Sequence, residues 1–278
     1  MGSLPLLGKV AFITGATRGQ GRSHAVRLAR NGADVIAFDI CGSVTTAPYA
    51  MASDMDLATT ATQVTALGRR IVTAQIDVRD RGGVRDQLDA AVGELGGLDI
   101  VVANAGFASF CPADSMSDDI WDDMIDVNLT GVFNTVRASI PHFRAGGRGG
   151  AIVLTGSTAS VKGNANLAHY TAAKHGVLGL MKALAIELGP DRIRVNAVLP
   201  TTTDTAMVHN SALYQLFLPD HQAPTRDDVA AVLPALHALP EPWVDPEDIS
   251  AAVEYLVSAT GRFVTGVALP VDAGWLVR

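Results

Sequence analysis

Apolar residues gather into seven short runs: Val10–Thr14, Asp34–Asp39, Ile71–Asp77, Leu98–Asn104, Ala151–Thr155, Arg194–Leu199 and Val267–Val271. They are near-continuous β-branched, Leu and Ala stretches without in/out alternation, which predicts parallel strands buried on both faces. Between them the period lengthens to that of helices at Gly21–Asn31, Leu57–Leu67, Gly82–Glu94, Asp118–Phe143 and Tyr170–Leu188. Strand and helix alternating in this way predict an α/β fold: one doubly wound parallel sheet of about seven strands with helices on both faces.

Two segments break the rhythm. About 41–55, from Cys41 to Met55, is a Gly/Pro/Ser/Thr-rich connection after the second strand, longer than an ordinary βα loop. About 200–245 carries Pro219, Pro224, Pro234, Pro240 and Pro242. Long insertions at the carboxyl ends of parallel strands hold lids and substrate loops, and both segments read as functional loops on one domain spanning 1–278.

Composition narrows the class. The 278 residues carry 21 basic and 28 acidic side chains, a formal charge of −7, which disfavours nucleic acid or an anionic membrane as partner. Hydrophobic residues at 48% and charged residues at 18% are ample for a core. Cys41 and Cys111 form no ligand motif and suggest a reducing compartment. Lys9 interrupts the short apolar start, no apolar stretch is long enough to span a membrane, and Leu6 stands where a Met1-Gly2 myristoylation signal wants Ser or Thr. The expected location is the cytoplasm.

The first strand runs into Thr14-Gly15-Ala16-Thr17-Arg18-Gly19-Gln20-Gly21 and then a helix. Glycines there permit a tight turn and let a diphosphate approach free N–H groups at a helix N-terminus. A GxxxGxG loop alone is equally a structural turn; its place between first strand and helix gives it weight. Asp39 ends the second strand, where a carboxylate accepts the hydroxyls of an adenosine ribose and repels a 2′-phosphate, or else acts as a turn residue. Arg18 is the one basic residue that could soften that preference. Asp77-Val78 ends the third strand, where a side chain could meet an adenine amino group, and Asn104-Ala105-Gly106 ends the fourth, where small residues leave room for a cofactor ribose.

The sharper constellation is Ser157 with Tyr170 and Lys174, the last two at i and i+4 on one helix face. A phenol near pKa 10 is a poor base at neutral pH, and a neighbouring ammonium favours its phenolate. Ser157 is placed to hydrogen-bond a substrate oxygen. A lone YxxxK is common in helices; thirteen residues after such a serine, and downstream of a nucleotide loop, it becomes specific. The bland readings stand beside it. Asn128 could cap or kink a long helix, and the acidic run from Asp118 to Asp126 is the solvated face of an amphipathic helix. The seven histidines show no metal-ligand spacing, so no metal is expected; His169 and His175 lie on other faces than Tyr170. The Tyr170–Leu188 helix is apolar on more than one face, which suggests a subunit contact as well as a core face.

Together TGATRGQG, Asp77-Val78, the NAG at 104–106, Asn128 in VNLTG, Ser157 and Tyr170-x-x-x-Lys174 resemble the short-chain dehydrogenase/reductase family across essentially the whole chain. The stretches GRSHAVRLARNGADVIAFDIC, ALGRRIVTAQIDVRD, WDDMIDVNLTGVFNTV, AHYTAAKHGVLGLMKALA and PWVDPEDIS resemble more narrowly its mycofactocin-associated, carveol-dehydrogenase-like branch. The resemblance implies a Rossmann-type fold, NAD held without exchange under the insertion at Cys41, a mycofactocin-like external redox partner and a homotetramer. It implies that Asn128 supports a water in a proton relay, Ser157 orients the oxygen and Tyr170 is the acid/base. Lys174 would bind the nicotinamide ribose and lower the tyrosine pKa. Further cofactor contacts are implied for Gly15, Thr17, Arg18, Gly19, Gln20, Gly21 and Ile40, and for Pro200, Thr203 and Thr205 after the sixth strand. Ala103, Gly156 and Thr201 depart from the usual family residues without removing any of the four.

The preferred expectation is therefore NAD-dependent interconversion of a secondary alcohol and a ketone. An NADPH-dependent 3-oxoacyl-carrier reductase would want basic residues near Asp39, and a non-catalytic nucleotide sensor would not need both Tyr170 and Lys174. Met207, Leu213, Tyr214, Leu216, Phe217, Leu218 and Trp243, with Phe107 and Phe110, would line an apolar, terpenol-sized pocket, or else pack a lid.

Overall fold

The computed structural model describes residues 4–278, so the Met1-Gly2 start lies outside them. The strands are β1 Val10–Thr14, β2 Asp34–Asp39, β3 Ile71–Gln75, β4 Ile100–Ala103, β5 Gly150–Thr155, β6 Ile193–Pro200 and β7 Ala268–Val271. They pair in parallel in the order β3-β2-β1-β4-β5-β6-β7. The order reverses direction between β1 and β4, and a doubly wound sheet opens a crevice at that switch. The expected Rossmann-type α/β fold is the observed one.

Alternate residues of each strand explain the continuous apolar runs. Phe12, Ile36, Phe38, Val101, Ile152, Leu154 and Val195 face one layer, packed by α3 (Arg81–Leu95), α5 (Gly131–Gly146) and α6 (Ala168–Glu187). Ala11, Ile13, Val35, Ala37, Ile100, Val102 and Val153 face the other, under α1 (Gly19–Arg30), α2 (Asp54–Ala66) and α9 (Pro246–Val257). Phe12 and Phe38 meet edge to face at 4.8 Å between ring centroids, and both are fully buried. Burying such a ring stabilises the fold by roughly 1.5–3 kcal/mol.

The pattern misleads at the margins. β3 is only half-buried and β7 likewise, because each is a sheet edge and lacks one flanking strand. The helix expected over Asp118–Phe143 is α4 (Asp118–Ile125), a π-helical stretch Asp126–Thr130 and α5. The insertion ends at Ser53, whose hydroxyl caps α2 in a reciprocal box with Asp56. The 200–245 segment is no plain loop: it holds α7 (Ser211–Phe217), α8 (Arg226–Val232) and a 3-10 turn at Leu233–Leu236. Among the described residues no helix is long and apolar enough to cross a membrane.

Candidate active site

The carboxyl ends of β1, β4 and β5 are stapled together by one side chain. Asn104 donates from Nδ2 to the Thr14 and Gly15 carbonyls at 3.1 and 3.2 Å, and its Oδ1 accepts from Thr155 Oγ1 at 3.3 Å. Its main-chain N–H reaches Thr14 Oγ1 at 3.2 Å. These bonds brace the switch-point crevice, and every catalytic and cofactor-binding residue expected from the sequence lines it.

The glycine loop forms its anion-facing wall. Gly15 has φ +67°, and a Cβ there would come within 2.8 Å of Ala105 Cα. A Cβ on Gly21 would collide with the Gly15 carbonyl, so the turn requires glycine at both places. Helix α1 starts with no side-chain cap and no acidic residue in its first turn, which leaves its N–H groups and dipole free for an anion. Gln20 Oε1 is buried without a protein partner. Uncapped N–H groups, a cradle closed to side chains and an orphaned polar atom all suit a dinucleotide diphosphate.

At the next strand end Asp39 is buried, and its Oδ2 accepts from Thr17 N–H at 3.2 Å and Thr17 Oγ1 at 2.7 Å. Its Oδ1 accepts from Cys41 N–H at 3.2 Å. The carboxylate is thus aimed at the crevice and braced against the glycine loop. Arg18 turns away from it and donates to the Ala50 carbonyl at 2.6 Å, tying the insertion to the loop. Asp77 also lines the crevice, with both oxygens engaged by Arg79.

At the other end Ser157, Tyr170 and Lys174 converge. Helix α6 puts Tyr170 and Lys174 one turn apart, with the ammonium 5.6 Å from the phenol ring centroid and donating to the Thr155 carbonyl at 2.9 Å. Burial pushes the Tyr170 phenol up, and a hydrogen bond with the Ser157 side chain opposes it. Burial pulls Lys174 down to about 8. The Ser157 hydrogen bond thus acts in the lowering direction, beside the Lys174 ammonium one helical turn away.

Asn128 sits fully buried in the π stretch, with Nδ2 donating to the Phe107 carbonyl at 3.1 Å and Oδ1 accepting from Phe107 N–H at 3.3 Å. Its side chain holds that loop, and the residue also lines the crevice. A π stretch inside a helix is common at functional sites.

The sequence reading passed over the insertion's own contribution. Val44, Tyr49, Met51 and Ala52 line the crevice. The Tyr49 hydroxyl accepts from Ala108 N–H at 3.3 Å, and burial raises its phenol to about 12. Of the apolar residues named for the substrate pocket, Phe107 and Met207 line the crevice, whereas Leu213, Tyr214, Leu216, Phe217, Leu218, Trp243 and Phe110 do not. Tyr214 and Trp243 instead pack on His209, within the lobe rather than facing the crevice. His169 is buried against Ser109 Oγ at 2.9 Å and His175 is exposed; neither lines the crevice.

The short chain dehydrogenase family model matches residues 9–215. The chain is 50% identical over 273 residues to (−)-trans-carveol dehydrogenase of Rhodococcus erythropolis, covering 98% of each. A crystal structure of carveol dehydrogenase from Mycobacterium avium in complex with NAD superposes with a TM-score of 0.97 at 55% identity, covering 99% of both chains. A short chain dehydrogenase from Mycobacterium paratuberculosis bound to NAD gives 0.91 at 43% identity, covering 99% of this chain and 100% of the other. With its sheet order and crevice in keeping with these likenesses, the chain belongs to the short-chain dehydrogenase family.

Proposed function

We propose that this protein oxidises an apolar, terpenol-like secondary alcohol to its ketone, or runs the reverse, at the Ser157–Tyr170–Lys174 end of the crevice. It is an NAD-dependent short-chain alcohol dehydrogenase/reductase. The observation that carries the reading is the single crevice running from Asp39 to Tyr170 across the switch point. When bound, NAD supplies the acceptor for the hydride leaving the alcohol carbon.

The protein's residues handle the proton and the geometry. Ser157 holds the substrate oxygen and favours the Tyr170 phenolate, which takes the hydroxyl proton. Lys174, at about 8, remains mostly charged at neutral pH and binds the nicotinamide ribose. Asn128 supports a water in the proton relay; its place near the ammonium supports this, since a Cβ on Gly106 would lie 2.5 Å from Asn128 Oδ1 and 3.8 Å from Lys174 Nζ. Gly15 to Gly21 take the diphosphate, Asp39 and Ile40 the adenosine ribose, and Asp77 and Val78 the adenine. Asn104 to Gly106, Pro200, Thr203 and Thr205 contact the nicotinamide half. Phe107, Ala206, Met207 and Val208 give the substrate end an apolar wall, which supports a terpenol-like substrate.

The reading includes NAD that does not exchange, a mycofactocin-like partner for its re-oxidation, a cytoplasmic homotetramer and one domain over 1–278. The 2.6 Å bond from Arg18 to Ala50 and the Tyr49 bond to Ala108 N–H support retention, because they pin the insertion across the crevice. Exposed Trp121, Phe133, Ile186 and Phe263 support assembly. Asp39 disfavours an NADPH-dependent acyl-carrier reductase by repelling a 2′-phosphate. Mass spectrometry of extensively dialysed protein tests both features. The native spectrum is expected at four times the 29.0 kDa chain with its cofactor, and denaturation is expected to release about one NAD or NADH per chain. Protein that sheds its nucleotide on dialysis contradicts non-exchangeable binding, and a monomer contradicts the tetramer.

A further inference from the structure

One imidazole joins α7, α8 and the Trp243 segment of the lobe between β6 and α9. The His209 Nε2 lies 2.6 Å from Asp204 Oδ1, and its Nδ1 lies 2.8 Å from the Tyr214 hydroxyl on α7. A neutral ring satisfies both with the proton on Nε2, donating to Asp204 and accepting from Tyr214. Asp204 Oδ2 accepts from Arg226 Nη2 of α8 at 2.8 Å. The indole of Trp243, from the segment leading to α9, meets the imidazole edge-on at 4.8 Å between centroids and carries the Arg226 guanidinium at 4.6 Å. The ring is mostly enclosed, with 16% of its side chain exposed, and the pairings are correspondingly shielded from water.

This cluster lies behind a wall of the crevice. Thr203, Thr205, Ala206, Met207 and Val208 line the crevice, while Asp204 and His209 bracket that segment and point away from it into the lobe. The main chain anchors the start of the segment by a parallel bridge between Thr203 and Val244, with Asp204 N–H reaching the Val244 carbonyl at 2.9 Å, and Val208 and His209 N–H share the Thr205 carbonyl at 2.9 Å. Beyond the bridge, side chains set where Ala206, Met207 and Val208 stand: Asn210 Nδ2 donates to the Met207 carbonyl at 2.8 Å, and the His209 cluster holds the segment's far side.

We propose that His209 is a positioning residue that fixes the 203–208 wall through Asp204 and Tyr214 and so sets the size of alcohol the site accepts. The inference rests on the alcohol-dehydrogenase reading for its substrate class. It places substrate selection in a residue that never touches the substrate.

Two readouts on the NAD-loaded enzyme test it: amide hydrogen exchange of segment 203–209, and KM and kcat for cyclohexanol and for the bulkier carveol with an artificial electron acceptor re-oxidising the bound NADH. His209→Leu is expected to speed exchange of the segment by about tenfold. It is expected to raise KM for carveol about fivefold while KM for cyclohexanol and kcat for both stay within about twofold. His209→Gln, whose amide can still donate to Asp204, is expected to restore exchange and the carveol KM to within about twofold of wild type. Tyr214→Phe removes only the Nδ1 partner and is expected to fall between.

Unchanged exchange in His209→Leu overturns the proposal, as does faster exchange with the KM ratio of the two alcohols intact. Exchange that speeds across the whole molecule and is not rescued by glutamine overturns it too, since His209 is then a general folding contact. A wild-type enzyme that oxidises neither alcohol overturns the functional reading, and with it the specificity role, while the exchange arm still decides whether His209 anchors the wall.

Discussion

Burial at the substrate end of the crevice disfavours both charged forms that alcohol oxidation needs, raising Tyr170 and lowering Lys174 to about 8. The hydrogen bond from Ser157 is the structural counterweight for the phenol. Ser157→Ala is therefore expected to move the acidic limb of the oxidation pH profile, where the phenolate becomes protonated, upward by about half to one unit, the worth of one hydrogen bond, with nucleotide affinity unchanged. A limb that stays in place removes the serine from the titration. Asp39 works at the opposite end: Asp39→Ala is expected to lower the ratio of NAD to NADP released on denaturing the purified protein by at least about tenfold. Thr17 loses both of its bonds to the carboxylate in that variant, so Thr17→Val, which keeps the charge, is the control. The residues of this chemistry were legible in the sequence because a loop, a strand end and one helix turn each announce themselves locally. Tyr49 was not: nothing local marks a phenol in a Pro/Ser-rich stretch as one whose oxygen meets Ala108 N–H across the fold.

Helices α1 and α9 pack against each other over a buried polar seam. His24 is fully buried, with Nδ1 2.8 Å from Ser250 Oγ, and burial lowers its pKa to about 3. In the unfolded chain the ring titrates near 6.5. Protons therefore bind the unfolded state first: the His24 contribution is complete above about 6.5 and is lost as pH falls toward about 3. Thermal melts of His24→Gln are expected to show a flatter decline of stability between those limits, with wild type losing up to a few kcal/mol more. Parallel slopes would remove His24 from the acid sensitivity. Element identity was largely legible, since the continuous apolar runs follow from burial on both faces. The sequence pattern misplaced β3 and β7 as fully buried, because an edge is a property of strand order and not of the strand. It also drew one helix through Asp126–Thr130, where the register slips to π so that the Asn128 amide can reach the Phe107 main chain.

Across the whole molecule, the sheet brings three strand ends together, Asn104 locks them, and two insertions from opposite sides of the order close over the result. The insertion after β2 reaches the Tyr170 end, where Tyr49 packs beside Phe107 and bonds Ala108 N–H, and the segment after β6 reaches the glycine loop, where Gln20 Nε2 donates to Thr203 Oγ1 at 3.5 Å. Architecture of this kind was readable from strand–helix alternation and from the two overlong connections. The interior of the second lobe was not, because α7 and α8 are too short to show a periodic stripe and each buries a single residue, Leu213 and Val229. On the proposed function, a bound alcohol loses its proton to Tyr170 as its hydride passes to NAD. A single-turnover experiment mixes NAD-loaded enzyme with (−)-trans-carveol, follows NADH absorbance, and runs Tyr170→Phe alongside. Wild type is expected to form close to one NADH per chain, and the variant to do so about a thousandfold more slowly with its nucleotide content unchanged. NADH appearing in Tyr170→Phe at the wild-type rate, or none from any secondary alcohol while NAD is bound, would contradict it.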